Sequence, residues 1–305
     1  MARLLRWLIG AVVAHAFAPS AFADDLDILR GPQSLGPPAF TRWSGFYFGG
    51  QAGYGGGTTN FQGTTQGPLA YALRNSDIEA TFEPSRWSLL GKDSATTTSY
   101  GAFVGFNTQW QELVLGAEIN YSRANMAFTA PSTPMARLLS TVDSNTQAET
   151  LYDLGGAASG TLRLIDYASL RARAGWILGD NFLPYGFGGF VIGRADFTEA
   201  ATMGGPTATT VPTLITTPTG TTTYVPAPVL PCNPSVPETC SNFSVSTNNA
   251  ATAALIYGFD VGAGVDIALM SNVFLRGEFE YVHFLPFNGI VLDVATARIG
   301  AGFKF

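Results

Sequence analysis

The chain has 305 residues, with 16 Lys and Arg against 22 Asp and Glu, and only 12% of its residues are charged, roughly half the usual quarter. An acidic, sparsely charged chain excludes nucleic-acid binding through a basic surface. It also lacks any run of about 20 apolar residues, which excludes a helical membrane span.

The longest apolar run, "LIGAVVAHAFA", lies behind Arg3 and Arg6 and ahead of "APSAFA". That is the pattern of a secretory signal peptide, with Ala21 and Ala23 at the small-residue positions and cleavage expected before Asp24. An uncleaved anchor is the alternative. No cysteine follows the small residues, so a lipoprotein is not expected. Cleavage would remove both of those arginines, leaving 14 basic against 22 acidic residues, a net charge of −8. Residues 24–42, with Pro32, Pro37 and Pro38, read as an extended periplasmic linker.

From Trp43 onward apolar and small residues alternate with period two. The alternation predicts eight strands at about 43–56, 96–109, 111–124, 158–177, 182–197, 253–269, 272–285 and 291–305. Strands two and three join through "TQWQE", four and five through "LGDNF", six and seven through "LMSNV", all short. The links at about 57–95, 125–157 and 198–252 are long, the last of them Thr- and Pro-rich, whereas "PFNG" after strand seven is short. Long links on one side and short turns on the other predict an all-β fold, a transmembrane antiparallel β-barrel with external loops and periplasmic turns. An even strand count puts both chain ends on the periplasmic side.

The strands show which face is which. In the sixth, Leu255, Tyr257, Phe259, Val261, Ala263, Val265, Ile267 and Leu269 oppose Gly258, Asp260, Gly262, Gly264, Asp266 and Ala268. In the seventh, Leu275, Phe279 and Tyr281 oppose Arg276, Glu278 and Glu280. In the last, Ile299, Ala301, Phe303 and Phe305 oppose Thr296, Arg298, Gly300, Gly302 and Lys304. A soluble sandwich would alternate too. Export, strand length and aromatics near strand ends favour lipid outside and charge inside. Tyr54, Tyr121, Trp176, Tyr185, Phe197 and Tyr257 are the expected aromatic girdle, with Phe303 at the end of the last strand.

These segments resemble the alphaproteobacterial outer-membrane immunogenic proteins, an OmpA-like, porin-like group of eight-stranded barrels. The first strand, "WSGFYFGGQAGYGGG", is similar to the family's opening strand, and "YASLRARAGWILGDNFLPYGFGGFVIGRAD" to its central hairpin. "FDVGAGVDIALMSNVFLRGEFEYVHF" resembles its penultimate hairpin and "ARIGAGFKF" its closing strand. The loops do not match, and the insertion holding both cysteines is longer than the resemblance implies. The family implies location in the cell outer membrane and a terminal aromatic signal, here Phe303 and Phe305, read by the barrel-assembly machinery.

By parity the inward charges are Glu112, Glu118, Asp196, Asp260, Asp266, Glu278 and Glu280, against Arg163, Arg171, Arg173, Arg194, Arg276, Arg298 and Lys304. Side chains can just fill a barrel of eight strands, so these charges are expected to pair as a plug. The expected function is therefore non-enzymatic: envelope integrity and display of surface loops. A narrow ion-conducting pore is the alternative. A lipid-modifying hydrolase is a second one, built around the lone mature histidine, His283. It lies on the lipid-facing parity, but Leu285 stands where such an enzyme would carry its serine, so no catalytic residue is assigned. The glycines of "GGQAGYGGG" precede no helix that a phosphate could cap.

No metal or cofactor is expected. Cys232 and Cys240, with seven residues between them in an exported chain, read as a local disulfide clip. Outer-membrane lipids, the assembly machinery and host or phage ligands of the loops are the partners to expect. No separate peptidoglycan-binding domain is expected.

Overall fold

The computed structural model describes residues 42–143, 148–179, 181–210, 213–216, 218, 220, 222–225 and 240–305. The signal residues Ala21 and Ala23, nearly all of the linker, and Cys232 lie outside them. The Cys232–Cys240 pairing therefore does too. In chain order the elements begin with β1 (Gly45–Asn60), α1 (Gln66–Leu73), α2 (Asp77–Phe82) and a 3₁₀ turn at Pro84–Arg86. Then follow β2 (Lys92–Trp110), β3 (Leu113–Thr129), β4 (Met135–Val142), β5 (Glu149–Trp176) and β6 (Phe182–Thr210). The small hairpin β7 (Thr213–Thr216) and β8 (Thr222–Val225) precedes β9 (Cys240–Ala268), β10 (Val273–Phe287) and β11 (Ile290–Lys304).

Eight of these strands form a ring. The hydrogen-bonded order is β3-β2-β1-β11-β10-β9-β6-β5, and β5 closes on β3. Every pairing is antiparallel, from Tyr47↔Lys304 near the start of β1 to Thr129↔Thr161 at the end of β3. No edge remains in the ring, as hydrocarbon demands. The Asn288–Gly289 turn between β10 and β11 has φ values of 48° and 78°. Both are positive, the requirement of a two-residue hairpin whose twist matches its strands.

The strands run farther than alternation indicates. β5 begins at Glu149, β6 continues to Thr210 and β9 starts at Cys240, so much of 125–157 and 198–252 is strand. Above the ring β4 joins the outer part of β5. These extensions are rich in Thr, Ser and Ala, which lack the contrast between faces on which a period-two reading depends. Threonine nevertheless suits extended backbone.

The outside of the ring is apolar. Phe48, Val104, Ile119, Leu170, Phe190, Val261, Phe279 and Ile299 are all exposed. Tyr54, Tyr121, Trp176 and Tyr257 stand on the same outer face. A contiguous exposed belt of this extent is unstable in water and is the exterior of a transmembrane barrel.

Two expected girdle residues do not belong to it. Tyr185 and Phe197 point inward and are buried. In β6 both faces of residues 182–193 are apolar or glycine, so alternation could not choose between them. The same inverted parity misplaces Arg194 and Asp196 as inward. Arg194 is exposed on the outer face, and Asp196 sits half-exposed at a register shift, where its Oδ1 accepts the Ala253 N–H at 2.9 Å. Arg163 also points outward, because a bulge between Leu164 and Asp166 flips the parity of β5. Glu112 lies in the exposed turn after β2.

Candidate functional site

The barrel interior is filled in three layers, and β10 displays all three along its inward row. Phe274 belongs to an apolar floor with Trp43, Tyr47, Phe103, Val114, Ile177, Leu183 and Ala268. Arg276, Glu278 and Glu280 belong to a charged middle layer. Val282 and Phe284 belong to a larger apolar layer above, with Phe128, Leu162, Phe197, Ile256 and Leu292.

The charged layer joins four guanidinium groups to five carboxylates. Arg171 from β5 reaches Asp260 through Nε (2.7 Å) and Glu278 through Nη1 (2.9 Å). Its Nη2 contacts Glu280, and Glu118 lies 3.7 Å from Nη1. Arg173 donates from Nη2 to Asp266 (2.7 Å), and Arg276 donates to both Glu118 (2.7 Å) and Asp266 (2.9 Å). Arg298 contacts Glu280 and donates to the Tyr167 hydroxyl at 2.6 Å. Lys304, the fifth inward cation, is below the cluster. Its Nζ donates to the Arg42 carbonyl at 3.0 Å and lies 4.3 Å from the Trp43 ring centroid.

Neutral groups extend the network, in which Asp260 Oδ1 and Arg298 Nε have no hydrogen-bond partner among the described residues. Tyr47 donates to Glu118 (2.9 Å), Tyr167 to Glu280 (2.7 Å) and Tyr185 to Glu278 (3.1 Å). Gln51 and Asn120 bond each other. Arg171 lies 4.4 Å above the Phe187 ring and Arg276 3.9 Å above Phe103, so cation–π contacts add to the ion pairs. Two glycines make room for this packing. A Cβ on Gly264 would meet the Tyr185 hydroxyl at 2.6 Å, and one on Gly189 would meet Asp260 Oδ1 at 2.8 Å.

Of the fourteen charges expected inside, ten are there: Glu118, Arg171, Arg173, Asp260, Asp266, Arg276, Glu278, Glu280, Arg298 and Lys304. Sequence reasoning passed over the tyrosines and amides that bind them. It also passed over the upper apolar layer, although Val282 and Phe284 have the parity of the charged row.

That upper layer is roofed by the connection from β1 to β2. In α1, Leu69 and Leu73 fall one turn apart on a single face and are buried. α2 begins at Ser76, whose hydroxyl accepts the Glu79 N–H at 3.3 Å, and buries Ile78. Phe61, Trp87, Leu89 and Leu90 join them in the same cluster. Beneath this lid, on the outer part of β6, Glu199 is 5% exposed and neither of its carboxylate oxygens is hydrogen-bonded. The nearby Thr64 hydroxyl is engaged by the Phe61 carbonyl at 3.0 Å. Burial holds the Glu199 carboxyl above its ordinary range.

On the outer face, His283 Nδ1 lies 2.6 Å from Asp293 Oδ1, and the Tyr281 hydroxyl donates to the same oxygen at 2.8 Å. Both histidine and aspartate are half-exposed, and Leu285 follows in the position a neighbouring hydroxyl would need.

No family model matches the chain, and none of the curated proteins does. Among solved structures it is similar to Ail, the attachment invasion locus protein of Yersinia pestis. That match has 12% identity over 86% of this chain and 99% of that one, with a TM-score of 0.33. Neisserial surface protein A is similar at 13% identity, over 86% and 98% of the two chains, with a TM-score of 0.36. The N-terminal barrel domain of Pseudomonas aeruginosa OprF gives 11%, 84% and 99%, with a TM-score of 0.29.

Proposed function

We propose that this chain is a sealed outer-membrane barrel of the immunogenic-protein type, exported by a cleaved signal, that stiffens the envelope and displays its outer strands and loops. The carrying observation is the stack of buried side chains in the lumen, from Trp43 through the ion-pair layer to the α1–α2 lid. An open aqueous channel belongs to barrels of about 16–18 strands, and eight leave room only for side chains. A buried charge cluster of this kind favours one unique packing while resisting ion passage, because freeing any member strands its partners in low dielectric. The reading assigns no catalytic step and no cofactor.

The exposed terminal aromatics fit recognition during assembly. Phe305 stacks on Phe48 with ring centroids 5.9 Å apart, on the outer face of the β1–β11 seam where the first and last strands meet. Outer-membrane lipids and the assembly machinery are the partners this reading requires, and the outer extensions are the surface offered to host or phage ligands.

The test is conductance of residues 24–305 refolded into a planar bilayer, with a heat-modifiable band on an unboiled gel proving that the barrel has formed. The expected result is electrical silence. Stable steps that scale with salt would overturn the sealed reading in favour of a narrow pore.

A further inference from the structure

Three arginines on the outer surface are not used by the plug. Arg123, Arg163 and Arg194 lie on the adjacent strands β3, β5 and β6, with Arg123 paired across the sheet to Asp166 and Asp166 to Arg194. Neighbouring strands are about 4.8 Å apart, so these side chains share one small area. On β3 the outward row runs Leu115, Ala117, Ile119, Tyr121 and then Arg123. On β6 it runs Phe190, Ile192 and then Arg194. Arg123 and Arg194 are thus each the first outward residue beyond the apolar run of its strand. Arg163 projects just above, beyond the β5 bulge.

The remaining strands differ at this height. Beyond Tyr54, β1 offers Gly56 and Thr58; beyond Tyr100, β2 offers Thr98 and Thr96. On β10 and β11 the corresponding residues are His283 and Asp293. On β9, beyond Tyr257, they are Leu255 and Ala253, so the arginines are confined to one side of the rim, where the half-exposed Asp196 stands opposite Arg163.

The donors are also only partly used. Arg194 Nε holds Asp166 Oδ1 at 2.8 Å, Nη2 holds Oδ2, and Tyr121 donates to that carboxylate at 3.0 Å. Asp166 is 3% exposed and thus fully covered. This pair fixes Arg194 in place and leaves its Nη1 unused. Arg163 gives only Nε, to Asn125 Oδ1 at 2.7 Å, and Arg123 has no hydrogen-bond partner among the described residues. Guanidinium groups held in a fixed fork match phosphate oxygens.

We propose that Arg123, Arg163 and Arg194 form a binding site for the phosphate headgroup of an anionic lipid, held at the outer rim while its acyl chains lie along the β3–β5–β6 belt. The site rests on the reading that this belt is immersed in a membrane. A lipid is the fitting source of the phosphate because the arginines continue an apolar surface that a free anion would not cover.

The test is spin-labelled phosphatidic acid against spin-labelled phosphatidylcholine in phosphatidylcholine vesicles holding the folded chain. The expected result is a several-fold preference for phosphatidic acid, falling about five-fold for each guanidinium removed in Arg123→Gln and Arg163→Gln. These substitutions leave the Arg194–Asp166 pair intact, and a heat-modifiable band checks folding. Arg86→Gln, on the exposed lid, should leave the preference unchanged. Equal affinity for the two lipids, or a preference untouched in the double variant, would overturn the site. Full displacement by millimolar inorganic phosphate would overturn the lipid as its source. Failure of the chain to insert at all would overturn the membrane reading itself.

Discussion

Arg171 touches four carboxylates, those of Glu118, Asp260, Glu278 and Glu280, with its side chain 1% exposed. Its removal leaves buried anions facing one another, and breaking such a set costs about 3–5 kcal/mol. Arg171→Ala should therefore lower the denaturant midpoint and the temperature at which the folded band converts on a gel. Adding Asp260→Asn should recover part of the loss, since it removes one stranded charge. No recovery would mean that Arg171 acts through packing on Phe187 rather than through charge. The inward position of Arg171 and Arg173 was legible because their neighbours Leu170, Ala172 and Ala174 are apolar. Tyr185 and Arg194 were not legible, because an aromatic or an arginine near a strand end can belong to either face of β6.

At the level of elements, bulges and the lid were hidden for a different reason. Periodicity is carried by single residues, and one inserted residue between Leu164 and Asp166 inverts the positions of β5 that precede it, Arg163 among them, without changing its composition. The ring itself was readable from turn lengths and alternation, since those follow directly from the constraint of closing a sheet in lipid. The lid carried a signal, the "SDIE" start of α2 with Ser at the cap and Glu three residues on, but it lay in a segment read as loop.

Its packing onto Glu199 has a pH consequence. The buried carboxyl is raised above 4.5 by desolvation, so from about pH 4.5 up to that raised value the closed lid binds more protons than the open one. Rising pH through this window must favour opening. No charged side chain of α1, of the inward rows beside Glu199 on β5 and β9, or of residues 61–65 opposes the effect. Hydrogen exchange of residues 61–73, corrected for intrinsic rates, should show protection falling with pH in the wild type and staying level in Glu199→Gln. Parallel curves would assign the lid's stability to Leu69, Leu73 and Ile78 alone.

The ring of eight strands has two chemically unlike ends. One end has short turns around Gln111, Gly179 and Asn272, an apolar floor and Lys304; the other carries the α1–α2 lid and the long strand extensions. This asymmetry predicts orientation. Short turns face the periplasm and long connections face outward, because the assembled strands enter from within and large polar segments collect on the far side. Tyr71 in α1 and Met270 in the β9–β10 turn are equally exposed, each at 70%, so access alone would not distinguish them. In a background with Cys232 and Cys240 replaced by serine, Tyr71→Cys should react on intact cells with a membrane-impermeant maleimide. Met270→Cys should react only after the outer membrane is opened. The reverse pattern would place the lid in the periplasm and move the arginine rim to the inner leaflet, where its lipid partner would have to be sought instead.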